Sequence, residues 1–139
     1  MGVKTQSIEF LTQGFCDVIE ITSEVEVALA SQELTHGVVT LFVPGSTAGL
    51  TTLEYEPGCV EDLKAAVGRM VPERAEYAHN ARWGDGNGFS HVRAALLGPS
   101  LQVPFSDKKL QTGTWQQLVL VDFDNRPRQR ELIIQIMGE

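Results

Sequence analysis

Apolar residues fall along the chain in short runs with two different spacings, and the spacing assigns the elements. Val3 to Phe10 and Phe15 to Ile21 have strand-like composition on either side of Gly14, which predicts an opening hairpin. Ser23 followed by Glu26 reads as a capping box, and Val25, Ala28 and Leu29 then form one apolar stripe of a helix running to about Gln32. Gly37 to Val43 is a continuous β-branched and aromatic run ending at Pro44, the pattern of a central strand buried on both faces. Leu50 to Leu53 extends again after the loop that begins at Pro44. Pro57 and Gly58 precede a second helix, in which Val60, Leu63, Val67 and Met70 recur at helical spacing until Pro72 forbids continuation.

The second half is mostly strand. Val71 to Ser90 contains Pro72, Gly84, Gly86 and Gly88 with little periodicity, and reads as one long loop of the kind that carries function. Ser90 is placed to cap a short helix from His91 to Leu97, stopped by Gly98 and Pro99. Leu101 to Phe105, Thr114 to Phe123 and Arg128 to Met137 read as strands, with Asp124-Asn125-Arg126-Pro127 as the tight turn between the last two. Strands outnumber helices and no repeat or linker interrupts them. The expectation is one domain over residues 1–139, of α+β class with a largely antiparallel sheet.

Composition narrows the partners. The chain has 139 residues, 42% hydrophobic and 21% charged, enough for a single buried core. No apolar run reaches the roughly 18 residues of a membrane span, and the N-terminus lacks the apolar core of a signal peptide, so a cytoplasmic protein is expected. A formal charge of −7 argues against nucleic acid or an anionic membrane as partner. The charge is uneven: residues 1–107 hold 6 basic and 14 acidic side chains, residues 108–139 hold 5 and 4. An anion site is therefore expected to draw on the C-terminal quarter. Cys16 and Cys59 form no C-x-x-C pair and read as reduced, packed thiols.

Several motifs carry candidate chemistry. His79 and His91 flank the glycine-rich stretch, and a loop of that length can fold back so that both imidazoles meet one divalent ion, zinc or magnesium. Two ligands are too few, so Glu54 or Asp85 would have to join them. The bland alternative is two histidines bonded to backbone; His36 matches no motif and reads as a strand-entry residue. Ser46 and Thr47 follow a strand and precede small residues, where hydroxyls and backbone N–H groups can hold an anionic oxygen, or can simply form the turn. Neither belongs to a nucleophile elbow. Gly84-Asp85-Gly86-Asn87-Gly88 lacks the signatures of a P-loop or an EF-hand and is read as a lid or a plain solvent loop. Arg128 and Arg130 share one face of a regular strand and suit a phosphate, although ion-paired surface arginines are commoner.

Taken together, these fragments resemble a known family, the YjbQ-like proteins, commonly labelled secondary thiamine-phosphate synthases. The resemblance is carried by Val43-Pro44-x-Ser46-Thr47-Ala48 with Leu50, Glu54, Val71-Pro72 and Tyr77-x-His79-Asn80. It continues through His91, Leu96-Leu97-Gly98-Pro99-Ser100, Val103-Pro104, Gly113-Thr114-Trp115-Gln116 and Arg126-Pro127-Arg128. It implies an antiparallel β-sandwich with short helices packed outside, a homotrimer with sheets around the threefold axis, and a pocket able to hold a metal or an anion. By the same resemblance Glu54 and His91 are the catalytic candidates and His79 and His91 the metal ligands. Ser46, Thr47, Asn80, Trp115, Gln116 and Arg128 are the residues expected at a small phosphorylated ligand. The chain departs from the family where Pro-His-Thr is usual, reading Pro44-Gly45-Ser46, and where an Asn precedes the acid, reading Leu53-Glu54. Two functions are thereby in competition: a thiamine-phosphate synthase-like transferase, and a non-catalytic trimeric binding or scaffold protein whose site has decayed.

Overall fold

A computed structural model describes residues 1–139. Eight strands and four helices run in the order β1 (Gly2–Thr12), β2 (Asp17–Glu20), α1 (Thr22–Ala30), β3 (His36–Phe42), β4 (Ala48–Leu53), α2 (Pro57–Met70), α3 (Ala78–Trp83), α4 (Gly88–Leu97), β5 (Ser100–Ser106), β6 (Lys109–Leu110), β7 (Gln117–Asp122) and β8 (Arg128–Gly138). The strands form a five-stranded sheet, β1-β8-β3-β5-β6, and a three-stranded sheet, β2-β7-β4, with every pairing antiparallel. The expected α+β sandwich is therefore the observed fold. No helix is long and apolar enough to cross a membrane.

Strand periodicity decides which faces meet. In β8, Leu132, Ile134 and Ile136 are buried at every second position, and they pack with Val39 and Leu41 of β3 against Leu50, Leu118 and Leu120 of the smaller sheet and Val25 and Leu29 of α1. The alternate residues of β7, Val119 and Val121, face a second core completed by Val67 of α2 and Ala94 of α4. The three-stranded sheet is thus covered on both sides, by the larger sheet and by helices. β7, not β3, is the strand buried on both faces; in β3 only alternate residues are fully buried, and Phe42 is 41% exposed.

Other expectations are corrected. β1 and β2 do not form a hairpin: β1 pairs with β8 over its whole length and β2 with β7 in the other sheet. Gly14, Phe15 and Cys16 all have positive φ, and this left-handed stretch carries the chain from one sheet to the other. A Cβ at Gly14 would lie 2.4 Å from the Asp124 carbonyl, so only glycine fits there. Helix α1 begins at Thr22 with no side-chain cap; Thr22 Oγ1 accepts from Leu118 N–H at 2.9 Å, so docking onto β7 replaces the capping box expected at Ser23. The stretch read as one loop from Val71 contains α3, and α4 starts at Gly88, which puts Ser90 inside the helix. The strand expected from Thr114 starts at Gln117. Cys16 and Cys59 are free, the first buried and the second half-buried.

Candidate functional site

The chemistry-bearing residues gather at one end of the sandwich, where the turn after β7 meets the loop before α4. Asp122 and Asp124 lie two residues apart and face the same way, as do Arg128 and Arg130 on β8. The face-sharing expected of the two arginines is realised. Arg130 Nε donates to Asp122 Oδ2 at 2.6 Å and Nη2 to Oδ1 at 3.1 Å; Nη2 also donates to Thr47 Oγ1. Arg128 Nε donates to Asp124 Oδ2 at 2.6 Å. Thr12 adds a bond to Asp122 at 2.6 Å and Thr47 one to Asp124 at 3.1 Å. Both carboxylates are fully buried; Asp122 is paired with Arg130, and Asp124 with Arg128 and, at 3.8 Å, with Arg130 Nη2.

Burial pushes the Asp124 carboxyl up, but hydrogen bonds from the Asn125 N–H, Arg128, Asn87 and Thr47 outweigh it and hold the group below the ordinary carboxylate range. Arg128 keeps a side chain about one-third exposed, with Nε engaged and no hydrogen bond from its Nη nitrogens. Arg130 is buried within the network, and Arg128 is the more exposed of the two.

Above this network the two histidines meet. His79 sits in α3 and His91 in α4, and their ring centroids are 4.4 Å apart with a 54° tilt. His79 Nε2 lies 3.2 Å from Asp85 Oδ1. Asn80 Oδ1 accepts from Gly88 N–H at 2.8 Å and so fixes the start of α4. Asn125 Nδ2 donates to the Asp85 carbonyl at 2.9 Å, tying the histidine loop to the turn that carries Asp124. Asn87 bridges the two groups. In one amide orientation its NH2 donates to Asp124 Oδ1 at 3.3 Å; in the other it reaches Asp85 Oδ1 and Oδ2 at 3.0 and 3.1 Å and His79 Nε2 at 3.1 Å. The second orientation serves all the acceptors, because Asp124 keeps Asn125 N–H, Arg128 and Thr47 as donors.

No three His, Cys, Asp or Glu side chains converge anywhere in the chain. The donor set at this point is therefore one imidazole nitrogen and one carboxylate, with the His91 ring alongside. Such a mixed N and O set suits a divalent ion whose shell water completes. Next to it, a cavity of about 390 Å³ is lined by Gly45, Ser46, Ala48, His91, Ala95 and Pro99 among others. Gly45 has φ +131°, and a Cβ there would lie 3.0 Å from Arg130 Nη1.

Three expected site residues lie elsewhere. Ala48, at one end of β4, pairs with Asp122, whereas Leu53 at the other end pairs with Gln117. Glu54, Trp115 and Gln116 belong to this far end, roughly 17 Å from the network at the rise of a strand. There Gln116 closes a turn, accepting from Gly113 N–H at 3.0 Å and donating to Thr52 Oγ1 at 3.2 Å, while Trp115 is 72% exposed. Trp115 is neither a core residue nor a wall of the histidine pocket. Sequence reasoning passed over Asp122, Asp124 and Asn87; the available signal was two acids at a spacing of two at the end of an apolar strand.

Comparison with known proteins agrees with this architecture. The profile of the UPF0047 protein YjbQ-like family matches residues 6–139. A UPF0047 protein of Methanothermobacter thermautotrophicus is 34% identical over 139 residues, covering 100% of this chain and 95% of its own. One of Archaeoglobus fulgidus is 35% identical, covering 87% and 91%. Among solved structures, a YbjQ-like protein of unknown function from Sulfolobus solfataricus superposes with a TM-score of 0.89 at 27% identity, covering 99% of this chain and 100% of that one. A hypothetical protein from Aeropyrum pernix gives 0.90 at 27% identity, covering 98% and 99%. Fold, length and sequence agree throughout, and the chain belongs to the UPF0047, YjbQ-like family.

Proposed function

We propose that the chain is a small-molecule transferase that holds a divalent cation, zinc or magnesium, at His79 and Asp85 with His91 alongside, and a phosphorylated substrate beside Ser46, Thr47 and Arg128. The observation that carries this reading is the convergence of His79, Asp85 and His91: His79 Nε2 lies 3.2 Å from Asp85 Oδ1, and the His91 ring centre 4.4 Å from that of His79. An imidazole nitrogen and a carboxylate at that separation form a mixed N and O donor pair of the kind that divalent ions accept.

The family resemblance suggests thiamine-phosphate formation, in which a thiazole phosphate attacks a pyrimidine pyrophosphate and pyrophosphate departs. A bound cation supplies stabilisation of the charge on that leaving group. Arg128 Nη groups bind phosphate, the Ser46 hydroxyl orients it, Asn80 holds α4 in place, and His91 faces the cavity in which the reacting atoms sit. Zinc titration of the native chain beside Asp85→Ala tests the cation, with near-stoichiometric binding expected in the first and at least tenfold weaker binding in the second. Turnover should fall about 100-fold in His91→Ala with the fold intact; unchanged turnover refutes the catalytic role.

Self-association into a trimer belongs to the same reading. The outer face of the five-stranded sheet has no helix over it. Its central row, Thr5, Gln135, Thr40 and Gln102, is uncharged and internally bonded, and Phe42 and Met137 beside it are about two-fifths exposed. Glu54, Trp115 and Gln116 contribute to the pocket only if a neighbouring subunit supplies them. Sedimentation equilibrium on the native chain and on Gln135→Arg checks this, with trimer and monomer the expected species.

A second reading is favoured by Gly45 and by the lack of a three-ligand cluster: a non-catalytic trimeric small-ligand-binding or scaffold protein with a decayed site. A native chain that assembles but neither binds zinc nor turns over substrate selects it.

A further inference from the structure

Two arginines are almost wholly withdrawn from water, and only one has a counter-ion. Arg130, 8% exposed, is matched by Asp122. Arg93, 5% exposed, makes a single hydrogen bond, from Nε to the Val71 carbonyl at 3.0 Å, and lays its guanidinium carbon 4.9 Å from the centre of the Phe89 ring. Every ion pair in the chain involves other residues. A guanidinium taken out of water without an anion is costly, and one neutral carbonyl with one cation–π contact recovers only part of that cost. The Cys16 thiol, which feels the positive charge of Arg93, does not neutralise it, because burial pushes that thiol up and keeps it protonated.

Arg93 borders a pocket between α2 and α4. The remaining lining is apolar, from Leu63, Val67 and Met70 on one side to Leu96, Leu97 and Phe123 on the other, and the volume is about 150 Å³. Met70 and Leu96 at its rim are largely exposed, so it is an apolar groove open to solvent, and its volume matches a benzene-sized body. Arg93 is the one charged residue of the lining, and its Nη nitrogens carry no hydrogen bond to the protein. A cation without a partner at the edge of an apolar space specifies an amphiphilic anion.

We propose that this pocket binds a small monocarboxylate with an apolar body of about six carbons, its carboxylate bonded to Arg93 and its body packed against Val67, Leu96 and Phe123. A carboxylate offers two oxygens to the two free Nη groups in the fork geometry that arginine favours. The site is separate from the cation site: His91, two residues earlier on α4, lines the other cavity with Gly45 and Ser46. It stands or falls independently of the transferase reading.

The test titrates hexanoate and benzoate into the full chain at neutral pH, with hexanol, benzyl alcohol and inorganic phosphate as comparators, by calorimetry and by methyl chemical shifts. Saturable one-to-one binding of the carboxylates is expected, with shifts confined to methyls such as those of Leu63, Val67 and Leu96, and at least tenfold weaker binding of the alcohols and of phosphate. Arg93→Met should weaken carboxylate binding at least tenfold. Val67→Phe, which fills the pocket and leaves Arg93 in place, should abolish it, and keeps the test decisive if the arginine variant does not fold. No saturable binding to the folded native chain overturns the proposal, as does equal binding of the alcohols or of phosphate, or undiminished binding in Val67→Phe.

Discussion

Arg130 grips Asp122 with two nitrogens, Nε at 2.6 Å from Oδ2 and Nη2 at 3.1 Å from Oδ1, and the pair joins the two sheets of the sandwich. Arg130 comes from β8 of the five-stranded sheet and Asp122 from the end of β7 in the three-stranded one. Thr12 of β1 donates to the same carboxylate at 2.6 Å, so three strands are held at a point with no access to water. Removing one partner strands the other charge. Arg130→Met and Asp122→Leu should each lower the unfolding free energy by about 3–5 kcal/mol, and the double variant should cost much less than their sum. Urea unfolding of the four proteins measures the coupling; additive losses would mean that the pair is incidental.

Asp124 makes stability depend on acid. Its folded carboxyl sits below the ordinary range, so the ionised form is favoured by folding. The contribution is complete above the unfolded value of about 3.9 and disappears as pH falls through the lower folded value. Asp124→Asn should cost about 1–3 kcal/mol at neutral pH and flatten the decline of stability below about pH 5. A variant that keeps the native slope would place the acid sensitivity in other carboxyls.

Gly45 should resist substitution in either direction. With φ +131° and Arg130 Nη1 in the path of a Cβ, both Gly45→Ala and Gly45→His should lose about 1–3 kcal/mol. The histidine variant should gain no zinc, because the positive φ and the nearby Arg130 guanidinium oppose a side chain there. Denaturant midpoints and zinc content after desalting report the two effects, and zinc gained without loss of stability would contradict the strain argument.

Ser90 is fully buried in α4 with a hydroxyl that bonds to nothing. Ser90→Ala removes an unsatisfied group and should leave stability unchanged or raise it by about 1 kcal/mol. A loss larger than about 1 kcal/mol would mean that the hydroxyl has a partner in solution.

Some of this was legible in the order of residues because it is local. Alternation through Leu132, Ile134 and Ile136 marked a half-buried strand, Pro72 and Gly98 marked helix stops, and the same alternation put Arg128 and Arg130 on one face. The helix α3 was not legible: six residues between glycines and prolines offer too few turns for a periodicity, and tertiary contacts of His79 and Asn80 hold it. Trp115 was expected within a strand from Thr114, whereas the strand starts at Gln117 and a turn closed by Gln116 leaves the indole outside.

What the sequence by itself determined was the content of the elements, the family, and the candidate residues, since periodicity, breakers and motif order are properties of neighbours along the chain. What only the tertiary structure decided was which of them meet. β1 passes over nearby β2 to pair with β8 more than a hundred residues on, His79 reaches His91 and Asp85, and Glu54 is left at the far end of β4. Such pairings depend on which apolar faces bury most surface together and which buried charges neutralise one another. Those energies arise between segments that the chain order does not place side by side.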